Sequence, residues 1–506
     1  MAKKKVAELL LETLAQAGVE RVYGISGDSL NAITESIRRQ KKIRWIHVRH
    51  EETAAFAAGA DAHLTGRLAV CAGSSGPGNL HLINGLYDCQ RSRVPVLAIA
   101  AQIPSNEIGS GYFQETHPEH LFAQCSHYCE LVSHPEQMPR ILEVAMQTAL
   151  ARRGVSVIAL PGDIAWCETV EQGPRLHFPP PRPKVCPSND EITALAKILN
   201  ESKKITILGG AGCAGAHKEL IALARKLNAP IVHAMRGKEF FEYDNPFDVG
   251  MTGLLGFSSG YHAMMNCDLL LMIGTDFPYQ QFFPKDATIV QIDLRGEQLG
   301  RRTKVNHGFV GDTQAPLQAL LPKLEQNAED KHLKASLEHY RKTRKTLAEL
   351  ATEGHEKKAS HPQYVTKVVD ELADESAIFS CDVGTPTIWA ARYLTMNGKR
   401  SSTGDRRTDQ SSGPARCFVV RRWRSRHAHG RFAFAPTIGV AGQGDRVQEQ
   451  RAGLCRTGNE SGRDTRIRNG ASQSGLRQDS RWRRCSRTNC RNAGSSSSDD
   501  FQSSQP

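Results

Sequence analysis

Gly73-Ser74-Ser75-Gly76-Pro77-Gly78-Asn79, entered from the run Leu68-Ala69-Val70-Cys71-Ala72, decides how the first 400 residues are read. A short apolar run bounded by a turn is a strand buried on both faces. Loops at the carboxyl ends of such strands line the ligand crevice of an open α/β sheet, and glycine lets backbone approach a ligand closely. A second loop of this kind, Gly24-Ile25-Ser26-Gly27-Asp28-Ser29, closes the strand-like residues 21–25. Either loop alone is a tight turn, but two at strand ends outline a crevice.

Outward from these loops, β-branched runs alternate with helical patterns. Helices are expected at 6–17 and 33–39, and strands at 68–72, 94–100 and 155–161. That alternation means a parallel sheet covered by helices. Residues 173–187 are Pro-rich without periodicity and read as a linker. A second α/β unit follows, with strands at 205–208, 230–233, 269–273 and 288–292, closed by a charged helical stretch at 325–350. After a polar connector, a third unit opens with a helix at 363–372 and a strand at 377–381, and it breaks off at Arg400. The expected division is 1–172, linker 173–190, 191–350, connector 351–362, 363–400 and a tail 401–506.

The net charge of +12 belongs to the tail. Residues 401–506 hold 20 Arg, no Lys and 9 acidic residues, whereas residues 1–400 hold 45 Lys and Arg against 44 Asp and Glu. A nucleic-acid reading could apply only there, and nothing in the tail forms a binding module, so no nucleic-acid partner is expected. Its polarity, its Gly and Ser content and its lack of periodicity predict disorder. Met1 to Lys5 is charged with no apolar segment after it, and no run is long and apolar enough to span a bilayer. The chain therefore reads as cytoplasmic. Nine Cys scattered over residues 1–400 lack zinc or disulfide spacing and read as reduced thiols, and Cys485 and Cys490 have no further ligands at metal spacing.

Arg49, His50, Glu51 and Glu52 lie between the extended residues 43–48 and the small-residue helix 53–59. A carboxylate there is placed for partial desolvation and proton transfer, and equally for a structural role at a helix start. The two glycine loops with Glu51 between them resemble the pyrimidine-binding domain of thiamine diphosphate enzymes. Residues 105–117, Ser-Asn-Glu-Ile-Gly-Ser-Gly-Tyr-Phe-Gln-Glu-Thr-His, resemble the active-site loop of the pyruvate oxidase family, in its bacterial quinone-reducing branch. The resemblance runs from Val6 to Lys399. It implies that Glu51 protonates the aminopyrimidine ring of thiamine diphosphate, that Gly27 and Pro77 also bind this cofactor, and that Phe113 and Gln114 border a pyruvate pocket. From the residues alone, Phe113 reads as well as a core aromatic.

In the second unit the strand 205–208 runs into Gly209-Gly210-Ala211-Gly212-Cys213-Ala214-Gly215-Ala216, a Gly-x-Gly-x-x-Gly pattern expected to open a helix. Gly210, Gly212, Gly215, Thr252, Gly253, Thr275, Asp276, Asp293 and Asp312 sit at strand ends or turns and resemble the family's FAD-binding positions. Asp293, after a strand, is placed to accept a ribose hydroxyl. The alternative is a nucleotide-type domain that has lost its ligand. The resemblance further implies oxidative decarboxylation of pyruvate to acetate, with electrons passed through FAD to a quinone, in a homotetramer peripheral to the inner membrane. The family's membrane-binding segment is missing here.

The family's third domain holds the cofactor diphosphate and Mg2+ through a Gly-Asp-Gly loop and a later Asn. Asp382, Val383 and Gly384 open that domain, and after Lys399 the likeness ends. Read one base out of register, codons compatible with residues 420–442 and 442–465 permit the missing segment. Its metal-loop Asp falls at the junction of Arg422 with Trp423, and its Asn at that of Glu449 with Gln450. As written, Arg and Trp offer Mg2+ no hard oxygen ligand, so no residue of this chain is assigned to a metal. A frameshifted, catalytically inactive product that keeps the first two domains is the alternative to an active enzyme.

Overall fold

The computed structural model describes residues 3–170, 184–353, 361–381, 384–402, 416–420 and 437–440. The first sheet holds β1 (Arg21–Gly24), β2 (Arg44–His47), β3 (Ala69–Gly73), β4 (Val96–Gln102), β5 (Tyr128–Leu131) and β6 (Val155–Pro161) in the order β2-β1-β3-β4-β6-β5. All neighbours are parallel. β3, β4 and β6 are buried at every position, as strands covered on both faces must be. One face is packed by α1 (Val6–Gln16), α2 (Asn31–Gln40) and a helix at Met138–Arg152, through Leu10, Leu14, Ile33 and Leu142. The other is packed by α3 (Glu51–Thr65) and α4 (Pro77–Ser92), through Ala55, Ala58, Leu82 and Leu86. Strand order reverses between β1 and β3, whose carboxyl ends carry the two glycine loops. A crevice at such a reversal is where open α/β sheets bind ligands.

The second sheet contains β7 (Ile205–Gly209), β8 (Ile231–His233), β9 (Asp248–Met251), β10 (Leu269–Ile273), β11 (Thr288–Asp293) and β12 (His307–Val310), ordered β9-β8-β7-β10-β11-β12 and parallel throughout. This is the strand order of the doubly wound dinucleotide fold, with its reversal between β7 and β10. The helix Asn189–Glu201 leads in, and a capping box starts it: Glu191 N–H donates to Ser188 Oγ at 3.2 Å and Ser188 N–H to Glu191 Oε2 at 2.8 Å. The charged stretch at 325–350 is a helix only over Lys331–Leu350.

The third unit differs from expectation. Its strand β13 (Ile378–Cys381) is flanked in parallel by β14 (Ser401–Ser402) and β15 (Arg416–Val420), with β16 (Thr437–Val440) antiparallel on β15. Three strands therefore come from the stretch read as a disordered tail, and the unit does not stop at Arg400. Arg-Cys-Phe-Val-Val is a strand-forming sequence that the tail's overall polarity concealed. Asp382, Val383, Arg422, Trp423, Glu449, Gln450 and most of the tail lie outside the described residues. Among the described residues no helix is long and apolar enough to cross a membrane.

Candidate active site

β2 delivers the chain to His50, which caps α3 by accepting the Glu52 N–H on Nδ1 at 3.3 Å. Glu51 is the first residue of α3 and is 6% exposed. What covers it is α4, and α4 can lie there because two of its residues, Gly78 and Gly85, are glycines. A Cβ on Gly85 would stand 2.5 Å from Ala55 Cβ and 2.9 Å from the Glu52 carbonyl, so this glycine sets the approach of the two helices. A Cβ on Gly78 would lie 3.2 Å from Glu51 Oε1. Glu51 Oε2 meets His81 Nδ1 at 3.0 Å, and the rings of His81 and His50 stack with centroids 4.3 Å apart.

The two loops close on each other beside this acid. Ser75 N–H donates to Ser29 Oγ at 3.0 Å, and Gly27 passes so near Ser74 that a Cβ would come within 2.8 Å of its side chain. Pro77 occupies the first turn of α4, where its missing N–H costs nothing. Gly76 has φ +67°, and beyond it lies Gln114, whose Oε1 accepts from Ser75 Oγ at 3.1 Å. Gly27, Glu51, Pro77 and Gln114 thus come together. Phe113 is 81% exposed, with the Tyr112 ring tilted against it at 4.7 Å, which removes the core reading. Asn79 is fully buried, gives its Nδ2 to the Ala101 carbonyl at 2.8 Å, and leaves Oδ1 without a partner among the described residues. His81 and Asn79 were not singled out from the sequence. Their signal was position: both follow Pro77 closely enough to fall in the first turns of α4, on the crevice side.

The second crevice is tighter. Gly210 and Gly212 pack on the backbone after β10: a Cβ on either would lie within about 2.7 Å of Gly274 or Thr275 atoms. Thr313 Oγ1 donates to the Gly212 carbonyl at 2.7 Å. The glycine pattern does not itself open the helix, because a short 3-10 turn, Ala211–Cys213, and Gly215 at φ +82° precede the helix His217–Leu227. Gly253, at φ +99°, faces the Phe277 and Tyr279 rings. Thr252 and Thr275 are buried, and Thr252 Oγ1 has no partner among the described residues. Asp293, 5% exposed, ends β11 and accepts the Arg295 N–H at 3.0 Å, and burial pushes its carboxyl up.

Two expected ligand acids are otherwise engaged. Asp312 takes the Val185 N–H at 3.1 Å and the Ala315 N–H at 2.8 Å, tying residue 185 to the helix Gln314–Leu320. Asp276 is held by Arg302 Nε at 2.8 Å and, across from the first sheet, by Arg91 at 3.0 Å and Arg93 at 3.6 Å.

Two parallel α/β units, each with a glycine-lined crevice at its strand-order reversal and a buried acid, Glu51 in the first and Asp293 in the second, define a two-crevice α/β architecture. Residues 4–121 match the model of the thiamine pyrophosphate enzyme N-terminal TPP binding domain, and residues 192–320 match that of the thiamine pyrophosphate enzyme central domain. The chain belongs to the thiamine pyrophosphate enzymes. It is 63% identical over 353 residues, 69% of this chain and 89% of the relative, to an uncharacterized 42.6 kDa protein from the isoamylase 3' region of Pseudomonas amyloderamosa. It is 36% identical over 402 residues, 79% of this chain and 70% of the relative, to YdaP of Bacillus subtilis, a protein taken to contain thiamine pyrophosphate. It is also 30% identical over 395 residues, 76% of this chain and 65% of the relative, to pyruvate oxidase of Lactiplantibacillus plantarum.

Proposed function

We propose that this architecture serves thiamine diphosphate- and FAD-dependent oxidative decarboxylation of pyruvate to acetate and CO2, with a quinone as electron acceptor and a homotetramer as the working assembly. The observation that carries the reading is Glu51, a carboxylate buried at the strand-order reversal beneath loops whose glycines leave no side chain in the way. Bound there, thiamine diphosphate supplies the electron sink that decarboxylation of a 2-oxo acid requires. Glu51 holds the proton that engages the aminopyrimidine nitrogen, and His81 fixes the orientation of its carboxyl through the 3.0 Å contact. Asn79 Oδ1, buried and unpartnered, suits an amino-group donor. Gln114, held by Ser75, offers pyruvate an amide without adding charge, and the exposed Phe113 ring is available to cover the substrate and exclude water.

In the second crevice, Asp293 suits a ribose hydroxyl, Thr252 Oγ1 is an open polar atom for a flavin dinucleotide, and Gly210 and Gly212 keep side chains out of the way. Asp276 and Asp312 fit poorly as ligands, since their oxygens are taken. Mg2+ does not fit the sequence as written, because Arg422 and Trp423 replace the oxygen donors it needs, and no step is assigned to it.

That mismatch favours a second reading: a product shifted out of frame after about residue 400, which keeps both crevices without turnover. Purified protein assayed for pyruvate-dependent dye reduction separates the two. Under the first reading the dye is reduced, and Glu51→Gln slows the reaction by about 10²–10⁴-fold. A yellow, FAD-containing protein without pyruvate-dependent reduction supports the second.

A further inference from the structure

The geometry points to a transition-metal site, one that takes Zn2+ in particular, formed by His50, Glu51 and His81. One ligand atom from each of these three side chains lies within 4.8 Å of the other two. Two imidazoles and one carboxylate are a zinc donor set, and three protein ligands leave a position for water. The groups come from two elements fixed against each other. His50 and Glu51 sit at the start of α3, His81 sits in the first turns of α4, and the close fit of Gly85 on Ala55 holds the helices together. The His50 and His81 side chains are 47% and 45% exposed, so each ring can turn about its χ2 bond to aim a nitrogen at the ion, while Glu51 is anchored by burial. His50 Nδ1 is engaged by the Glu52 N–H, which leaves Nε2 as its ligand atom. The negative carboxylate offsets the charge of the ion, and the half-open rim supplies an entry path.

A consequence follows for the cofactor, and it rests on the reading of Glu51 given above. An ion held by Glu51 and His81 replaces the proton that Glu51 would share with the aminopyrimidine nitrogen and takes over the contact by which His81 orients the carboxyl, so binding of Zn2+ and of thiamine diphosphate oppose each other. A chain whose diphosphate-binding half is altered would hold the ion in preference to the cofactor.

The test uses the full chain, stripped with a chelator and titrated with Zn2+ by calorimetry in the absence of cofactor. One ion per chain is expected, with loss of that binding in H81A and in H50A. H81Q serves as a check in which side-chain volume is kept, and circular dichroism confirms that each variant is folded. Undiminished Zn2+ binding by a folded H50A/H81A variant, or no Zn2+ binding by the unmodified chain, overturns the site. The titration is then repeated with excess thiamine diphosphate. A weaker apparent Zn2+ affinity, beyond what the same concentration of inorganic diphosphate causes by chelating the ion in solution, supports both the site and the role of Glu51. An unchanged affinity leaves the metal site standing and overturns the competition between ion and cofactor.

Discussion

At the scale of single residues, the first crevice depends on side chains that are absent. Gly76 adopts φ +67°, a conformation that L side chains rarely take, and a Cβ there would press on the Gln114 backbone at 3.1 Å. Gly76→Ala is expected to cost about 1–3 kcal/mol, read as a lowered denaturation midpoint, and to displace Gln114 from Ser75. The cysteines give an independent reading of burial. Burial pushes the Cys89 thiol up to about 12 and the Cys213 thiol up to about 12, whereas Cys167 and Cys186 are exposed. Brief alkylation of the native protein near pH 8, followed by peptide mass mapping, should mark Cys167 and Cys186 and spare Cys89 and Cys213. Labelling of all four at equal rates would contradict the packing described for α4 and for the turn after β7.

At the scale of elements, the pairing of α3 with α4 makes the site. Both helices are rich in small residues where they touch, so the acid on one comes to lie under the first turns of the other. Gly85→Ala inserts a methyl group where Ala55 and the Glu52 carbonyl already stand, at a cost of about 1–3 kcal/mol. Because the strain falls between Glu51 and His81, the variant should lose thiamine diphosphate affinity more than overall stability, as separate ligand and denaturant titrations would show. The same elements indicate what a sequence can reveal. β3, β4, β7 and β10 are unbroken apolar runs because both their faces are covered, and they were found within a few residues. β5 and β12 are sheet edges whose residues are largely half-buried or exposed, and β9 contains Gly250 at φ +86°, so none carried a periodic signal. Both loops were legible because their glycines are local, whereas Glu51 and Gln114 were marked through the family resemblance and not by their own chemistry. His81 was not, because its partner lies 30 residues away and only the fold brings them together.

At the scale of the molecule, the two α/β units are joined through charge. Arg91 and Arg93, at the end of α4, reach Asp276 beyond β10, where Arg302 also binds. Burial and the neighbouring Arg295 lower the Arg93 guanidinium to about 10, so Asp276 offsets an otherwise unfavourable gathering of cations. Burial by itself would push the Asp276 carboxyl up, but the Arg302 hydrogen bond and the charges of Arg91 and Arg302 outweigh it and hold the carboxyl below the usual range. A depressed aspartate stabilises the fold above its unfolded value of about 3.9, and the gain is lost as pH falls through the lower folded value. Asp276→Asn is therefore expected to lower stability at pH 7 by about 1–2 kcal/mol, less than for a fully buried pair because the Arg91 side chain is 58% exposed. The gap between variant and parent should shrink in high salt and narrow as pH falls from the ordinary carboxylate range through the lower folded value, where the parent carboxyl becomes protonated too. Urea midpoints at pH 7 and along a series of falling pH, each with and without added salt, measure all of this. A gap that neither narrows on acidification nor shrinks in salt would mean that Asp276 acts through packing, and the link between the two units would not be electrostatic.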